Sequence, residues 1–132
     1  MGSRKTYLLI PLAGSSLQAV ISREDRPLTE YRWRLNPRGY VSRSTRSMEF
    51  VREGMRSRTI FIHRLILGIL DDLDLVVDHL NGDPLDNRRV NLEAVTTAEN
   101  NRRLWTPPPH APRRIVVAKA VPRNWPDPVA PF

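Results

Sequence analysis

Two adjacent side chains, Asp78 and His79, are followed by a run of short amides and carboxylates, Asn81, Asp83, Asp86, Asn87 and Asn91, and then by Asn100. Carboxylate and amide oxygens suit a hard divalent cation. An imidazole that titrates near neutrality suits proton transfer. An Asp-His pair alone is more often structural than chemical, and Asn in such a stretch is an ordinary turn residue. Chemistry becomes the stronger reading only if the elements around these residues bring them to one place.

The local pattern predicts such elements. Residues 73–77 are rich in Leu and Val and predict a strand that delivers Asp78 and His79. Residues 80–87, Leu-Asn-Gly-Asp-Pro-Leu-Asp-Asn, are dense in turn formers and predict a loop. Residues 91–95 predict a second strand returning beside the first. Thr96 and Glu99 have capping-box spacing, which starts a helix near Thr97 that runs to about Leu104 and carries Asn100. The order is strand, Asp-His, loop, strand, helix.

Upstream, residues 6–12 and 17–22 predict two strands. Residues 30–36 alternate, with Tyr31, Trp33 and Leu35 on one face and Arg32 and Arg34 on the other. A turn at 36–39 leads into residues 40–43, giving a hairpin whose Arg-bearing face, Arg32, Arg34, Arg38 and Arg43, could enter a DNA groove as a β-ribbon. Residues 44–58 predict a long loop or open hairpin, 59–63 a short strand and 64–70 a short buried helix. Eight of the 12 prolines fall in residues 105–132, which predict an extended arm or a disordered segment rather than a helical domain. The expected organisation is a basic β-rich region over 1–58, a chemical segment over 59–104 and a Pro-rich basic tail over 105–132.

The net charge of +7 is unevenly spread: +8 over residues 1–64, −4 over 65–104 and +3 over 105–132. A basic front and tail around an acidic middle suit a polyanionic partner held by one part and a cation held by another. Nineteen of the 21 basic residues are Arg, which grips phosphates bidentately. Cys is absent, which excludes disulfides and thiolate zinc sites. No apolar run approaches the roughly 18 residues of a membrane span. Walker, dinucleotide-binding, nucleophile-elbow and zinc-protease motifs are also absent.

The string Val77-Asp78-His79-Leu80-Asn81-Gly82-Asp83-Pro84-Leu85-Asp86-Asn87-Arg88-Arg89-Val90-Asn91-Leu92, with Asn100-Asn101 after it, resembles the HNH homing endonucleases of phages and bacteria. Ile10-Pro11-Leu12, Tyr31-Arg32-Trp33, Gly39-Tyr40 and Ile62-His63-Arg64 extend the likeness upstream. The resemblance, which stops short of the tail, implies an α+β chain in which an N-terminal antiparallel sheet precedes a ββα-metal nuclease motif; composition adds the Pro-rich extended tail. The resemblance also implies cleavage of double-stranded DNA to 5′-phosphate and 3′-hydroxyl ends, with one Mg²⁺ or Mn²⁺ per site on Asp78 and Asn100. His79 is then the general base, and Asn91, with Asn87 and His63, supports it. Arg64, Arg88, Arg89, Arg102 and Arg103 join the hairpin arginines as candidate phosphate contacts. A structural zinc is not expected, monomer and homodimer both remain open, and the implied setting is the cytoplasm of a bacterial host, with a phage gene as one source. A DNA-binding protein without cleavage and a toxin or defence nuclease are the competing functions on the same fold.

Overall fold

A computed structural model of the chain describes residues 6–103 and 108–115. It is mixed α+β, with three small sheets and short helices. Strands β1 (Tyr7–Pro11) and β2 (Gln18–Ser22) form an antiparallel pair. Residues Arg23–Glu30 follow as a 3₁₀ segment that the strand-and-turn reading did not anticipate. Its Pro27 lacks the N–H that a regular helix interior needs. The Leu28 carbonyl at its end accepts the indole N–H of Trp33 at 2.8 Å. Trp33 is thereby buried with its one polar atom satisfied.

The expected strand over 30–36 shrinks to β3 (Arg34–Leu35), which turns through residues 36–40 into β4 (Val41–Thr45). Asn36 builds the turn: its Oδ1 accepts the N–H groups of Arg38 and Tyr40, and Gly39 takes the positive φ of 90° that the reversal requires. β5 (Arg58–Phe61) pairs antiparallel with β4 and lies across the 58/59 boundary expected from sequence. α1 (Ile62–Ile66) starts two residues earlier than expected, so His63 sits on a helix rather than at a strand end.

β6 (Leu75–His79) and β8 (Leu92–Thr96) pair antiparallel, with Asp78 opposite Glu93 and His79 opposite Leu92. Between them the loop contains two short elements. β7 (Asp86–Asn87) adds a parallel third strand to β2, and Arg89–Asn91 make a 3₁₀ turn. The loop is therefore stitched into the N-terminal sheet, which is not purely antiparallel as expected. α2 (Thr97–Arg102) packs on β6 and β8. Thr96 caps it by accepting the Glu99 N–H at 3.2 Å, as its spacing predicts. The reciprocal half of the box is replaced, because the Glu99 carboxylate pairs instead with Arg102 and Arg103.

The core joins these parts. Ile10, Leu12, Ala19, Ile21, Trp33, Val41, Ile62, Ile66 and Leu92 form one buried cluster drawn from β1, β2, the hairpin, α1 and β8. Residues 108–115 carry no helix or strand and lie against the loop and β8: Arg114 Nε donates to the Asn81 carbonyl, and His110 meets Glu93 at 3.0 Å. The rest of the expected tail, and Leu104 at the expected helix end, lie outside the described residues. Among the described residues no helix is long and apolar enough to cross a membrane.

Candidate active site

Strand alternation sends Asp78 and His79 to opposite faces of β6. Asp78 shares its face with Glu93, and both carboxylates meet Arg103. His79 shares the face of Leu92 and points toward the buried loop. There its Nε2 lies 2.9 Å from Asn87 Oδ1. The amide of Asn87 is oriented by its own donors, since Nδ2 gives hydrogen bonds to the carbonyls of Pro84 and Leu85. Its oxygen therefore faces the imidazole, and an oxygen only accepts. Neutral His79 must carry its proton on Nε2, which leaves the lone pair on Nδ1.

The loop that holds Asn87 is locked by short polar side chains. Asn91, fully buried, accepts the Asn81 N–H on Oδ1 and donates from Nδ2 to the Asp86 carbonyl, both within 2.9 Å. Asp86, also fully buried, accepts from Asn81 Nδ2 and takes a two-pronged ion pair from Arg88 at 2.8 and 2.6 Å. Asp83 Oδ1 accepts the Leu85 N–H. Asn91 thus braces the loop, while Asn87 is the residue that touches the imidazole.

Burial lowers the His79 pKa, opposed by the Asn87 hydrogen bond and by the carboxylates of Asp78, Asp83 and Asp86. The ring of His63 lies edge-on to it, with centroids 5.2 Å apart, and Tyr40 packs on both. His63 is 8% exposed, and its Nδ1 is buried with no hydrogen-bond partner among the described residues. Burial first, then the neighbouring His79 and Arg64 charges, lower its pKa to about 3. Because that value is below 6.5, the unfolded chain binds the proton more readily. The stability contributed by neutral His63 is complete above pH 6.5 and is lost as pH falls toward about 3. The melting temperature is therefore expected to hold steady down to about pH 6.5 and then fall steeply, with His63→Phe flattening the fall. A melting temperature unchanged down to about pH 4 would contradict a neutral buried His63.

The side chains proposed to hold a cation each keep an oxygen without a hydrogen-bond partner among the described residues. Asp78 Oδ2 accepts from Arg103 Nη1 at 3.2 Å, and Oδ1 is left uncommitted among the described residues. The Asn100 side chain makes no hydrogen bond among them either, and it lines the cleft beside Val76 and Val77 of β6. These are hard oxygen donors, the type that Mg²⁺ and Mn²⁺ take.

The arginines expected to contact phosphates have separate fates. Arg34 and Arg38 are exposed on the hairpin and Arg32 is half-buried. Arg43 departs from expectation. With Leu35 opposite Val41, the register continues to put position 33 opposite position 43, so Arg43 falls on the core face. It is 5% exposed and stacks 4.2 Å over Tyr31, so it is no part of an exposed ribbon. Arg64 donates to the carbonyls of Ile69, Asp72 and Leu75 and fastens the turn that leads into β6. Arg88 is committed to Asp86, and Arg89 to Asp25 through two hydrogen bonds. Arg103 bridges Asp78, Glu93 and Glu99, while Arg102 is exposed and, among the described residues, pairs with Glu99. Tyr40, which packs on both imidazoles, and Asp86, which anchors the loop, are the participants to which sequence reasoning assigned no role in the site.

Residues 61–102 match the model of a family described as HNH endonuclease. The match covers β6, the locked loop, β8 and α2, together with His63 and Arg64. Comparison with curated proteins and with solved structures gives no match.

Proposed function

We propose, from the match of residues 61–102 to the HNH endonuclease family model, that this chain is a divalent-metal-dependent endonuclease acting on double-stranded DNA. The observation that carries the mechanism is the His79–Asn87 hydrogen bond, which leaves Nδ1 as the basic atom. In this reading His79 Nδ1 takes a proton from the attacking water. The water oxygen bonds phosphorus, the P–O3′ bond breaks with its electron pair on O3′, a solvent water protonates that oxygen, and the products are a 5′-phosphate and a 3′-hydroxyl. Asp78 Oδ1 and Asn100 Oδ1 would hold a single Mg²⁺ or Mn²⁺. When bound, the ion supplies Lewis-acid stabilisation of the phosphate and of the departing oxygen. Arg103 acts as a positioning residue that fixes the other oxygen of Asp78. Asn91 sets the loop, and Asn87 sets the tautomer.

DNA is held by other parts of the chain: the exposed Arg34 and Arg38 on the hairpin, and Arg102 beside the site. One site cuts one strand per encounter, so a monomer would nick. The same reading puts the work in a bacterial cytoplasm, on mobile-element or phage DNA.

A supercoiled plasmid is expected to pass first to the open circle when Mg²⁺ is supplied and to stay intact with chelator. Asp78→Asn and Asn100→Ala are each expected to raise the half-saturating metal concentration at least about tenfold. DNA binding without cleavage under Mg²⁺ or Mn²⁺ would instead select the non-cleaving alternative. Cleavage whose metal dependence is the same in both variants would remove Asp78 and Asn100 as ligands.

A further inference from the structure

Between the hairpin turn and β6 lies a cleft of about 460 Å³. Its walls include Arg38, Tyr40, Phe61, His63, Val77 and Asn100. Its lining is mainly apolar, and three of these residues are rings in mutual contact. Tyr40 and Phe61 meet edge-on at 6.4 Å, and His63 lies 5.4 Å from Tyr40 and 5.6 Å from Phe61. His63, more than nine-tenths buried, keeps its Nδ1 without a partner among the described residues. That nitrogen is closed to solvent, so His63 lines the cleft with its ring.

We propose that this cleft is a nucleobase site, taking one unstacked base next to the phosphate that is cut. The proposal rests on the nuclease reading for its substrate, and on the cleft for its position. Aromatic walls offer a base the stacking that it loses on leaving the helix. His63 adds a third ring to that wall. Arg38, exposed at the turn, offers a charge for the adjoining backbone phosphate. Asn100 is a proposed metal ligand and also a wall of the cleft, so a base held here adjoins the scissile position. The turn built by Asn36 and Gly39 is then a wall of the site rather than the tip of a groove-reading ribbon.

The test compares binding of three single strands of about 12 nucleotides, oligothymidylate, oligodeoxyadenylate and an abasic strand of equal charge, in metal-free buffer. The wild-type protein is expected to bind at least one of the two base-bearing strands about tenfold more tightly than the abasic one. Val77→Phe, which fills the cleft, and Tyr40→Ala, which removes a wall, are each expected to bring that ratio to about one. Affinity for the abasic strand should be unchanged in both, with melting curves confirming the fold. Equal binding of all three strands by the wild type, no binding at all, or a ratio that survives in a folded variant would overturn the base site. Plasmid nicking by the same preparation separates the two readings. A base-dependent ratio without nicking keeps the cleft and removes the nuclease, and nicking without the ratio does the reverse.

Discussion

Replacing His79 by alanine is expected to lower the rate of plasmid nicking about 10³-fold while leaving DNA affinity within about twofold, the range for loss of a general base. The effect should be this large because the imidazole has one basic nitrogen to offer and the fold has chosen which. Asn87 accepts the Nε2 proton, so Nδ1 alone can receive a proton from water. Asn87→Ala keeps the imidazole and frees its tautomer, and a loss of about 10- to 100-fold is expected, as for other groups that orient a reactive histidine. Burial lowers the His79 pKa, so the base stays neutral below its ordinary range, and the acidic limb of the rate profile should fall below pH 6.5. Equal cutting by His79→Ala and the wild type would end the assignment. A profile whose acidic limb lies above the ordinary histidine range would contradict the effect of burial.

Asp86→Ala is expected to cost about 3–5 kcal/mol of folding stability, the penalty for stranding one partner of a buried ion pair. Asp86 is fully buried and anchors Asn81 and both donors of Arg88. Removing it leaves the Arg88 guanidinium, only 15% exposed, without its counter-charge. It also frees the loop that carries Asn87, so nicking should fall along with stability. The double variant Asp86→Ala/Arg88→Met should recover part of the loss, because no charge is then left unpaired. Urea unfolding measures both, and a cost under about 1 kcal/mol for the single variant would show that the loop is not held by this pair.

These two experiments separate functions that lie close together in the chain. The stretch from Asp78 to Asn100 carries both the groups proposed to react and the groups that stabilise the loop between them. Asp78 and Asn100 make no hydrogen bond to that loop among the described residues, and the His79 side chain meets it at Asn87. Asp86 and Asn91 hold it through Asn81, Arg88 and its own backbone, and neither is proposed to react.

The sequence by itself determined what depends on neighbours in the chain. The strand of β6, the Asx-rich loop, the returning β8 and the Thr96 cap are set by local periodicity, turn chemistry and capping, all within about a dozen residues. The order of the chemical residues was legible for the same reason, and the family match falls on the same stretch. Only the tertiary structure decided the partners of long charged side chains. Arg89 finds Asp25 across 64 positions, and Arg103 reaches Asp78 across 25. Nothing in local spacing distinguishes such an arginine from one that faces DNA. Arg43 shows the same limit in a strand: alternation gives two faces, but the hairpin register decides which is inside. The cleft is the furthest from legibility, because its walls come from the hairpin turn, β5, α1, β6 and α2. Tyr40 and His63 become one wall only after a shared core has drawn those elements together.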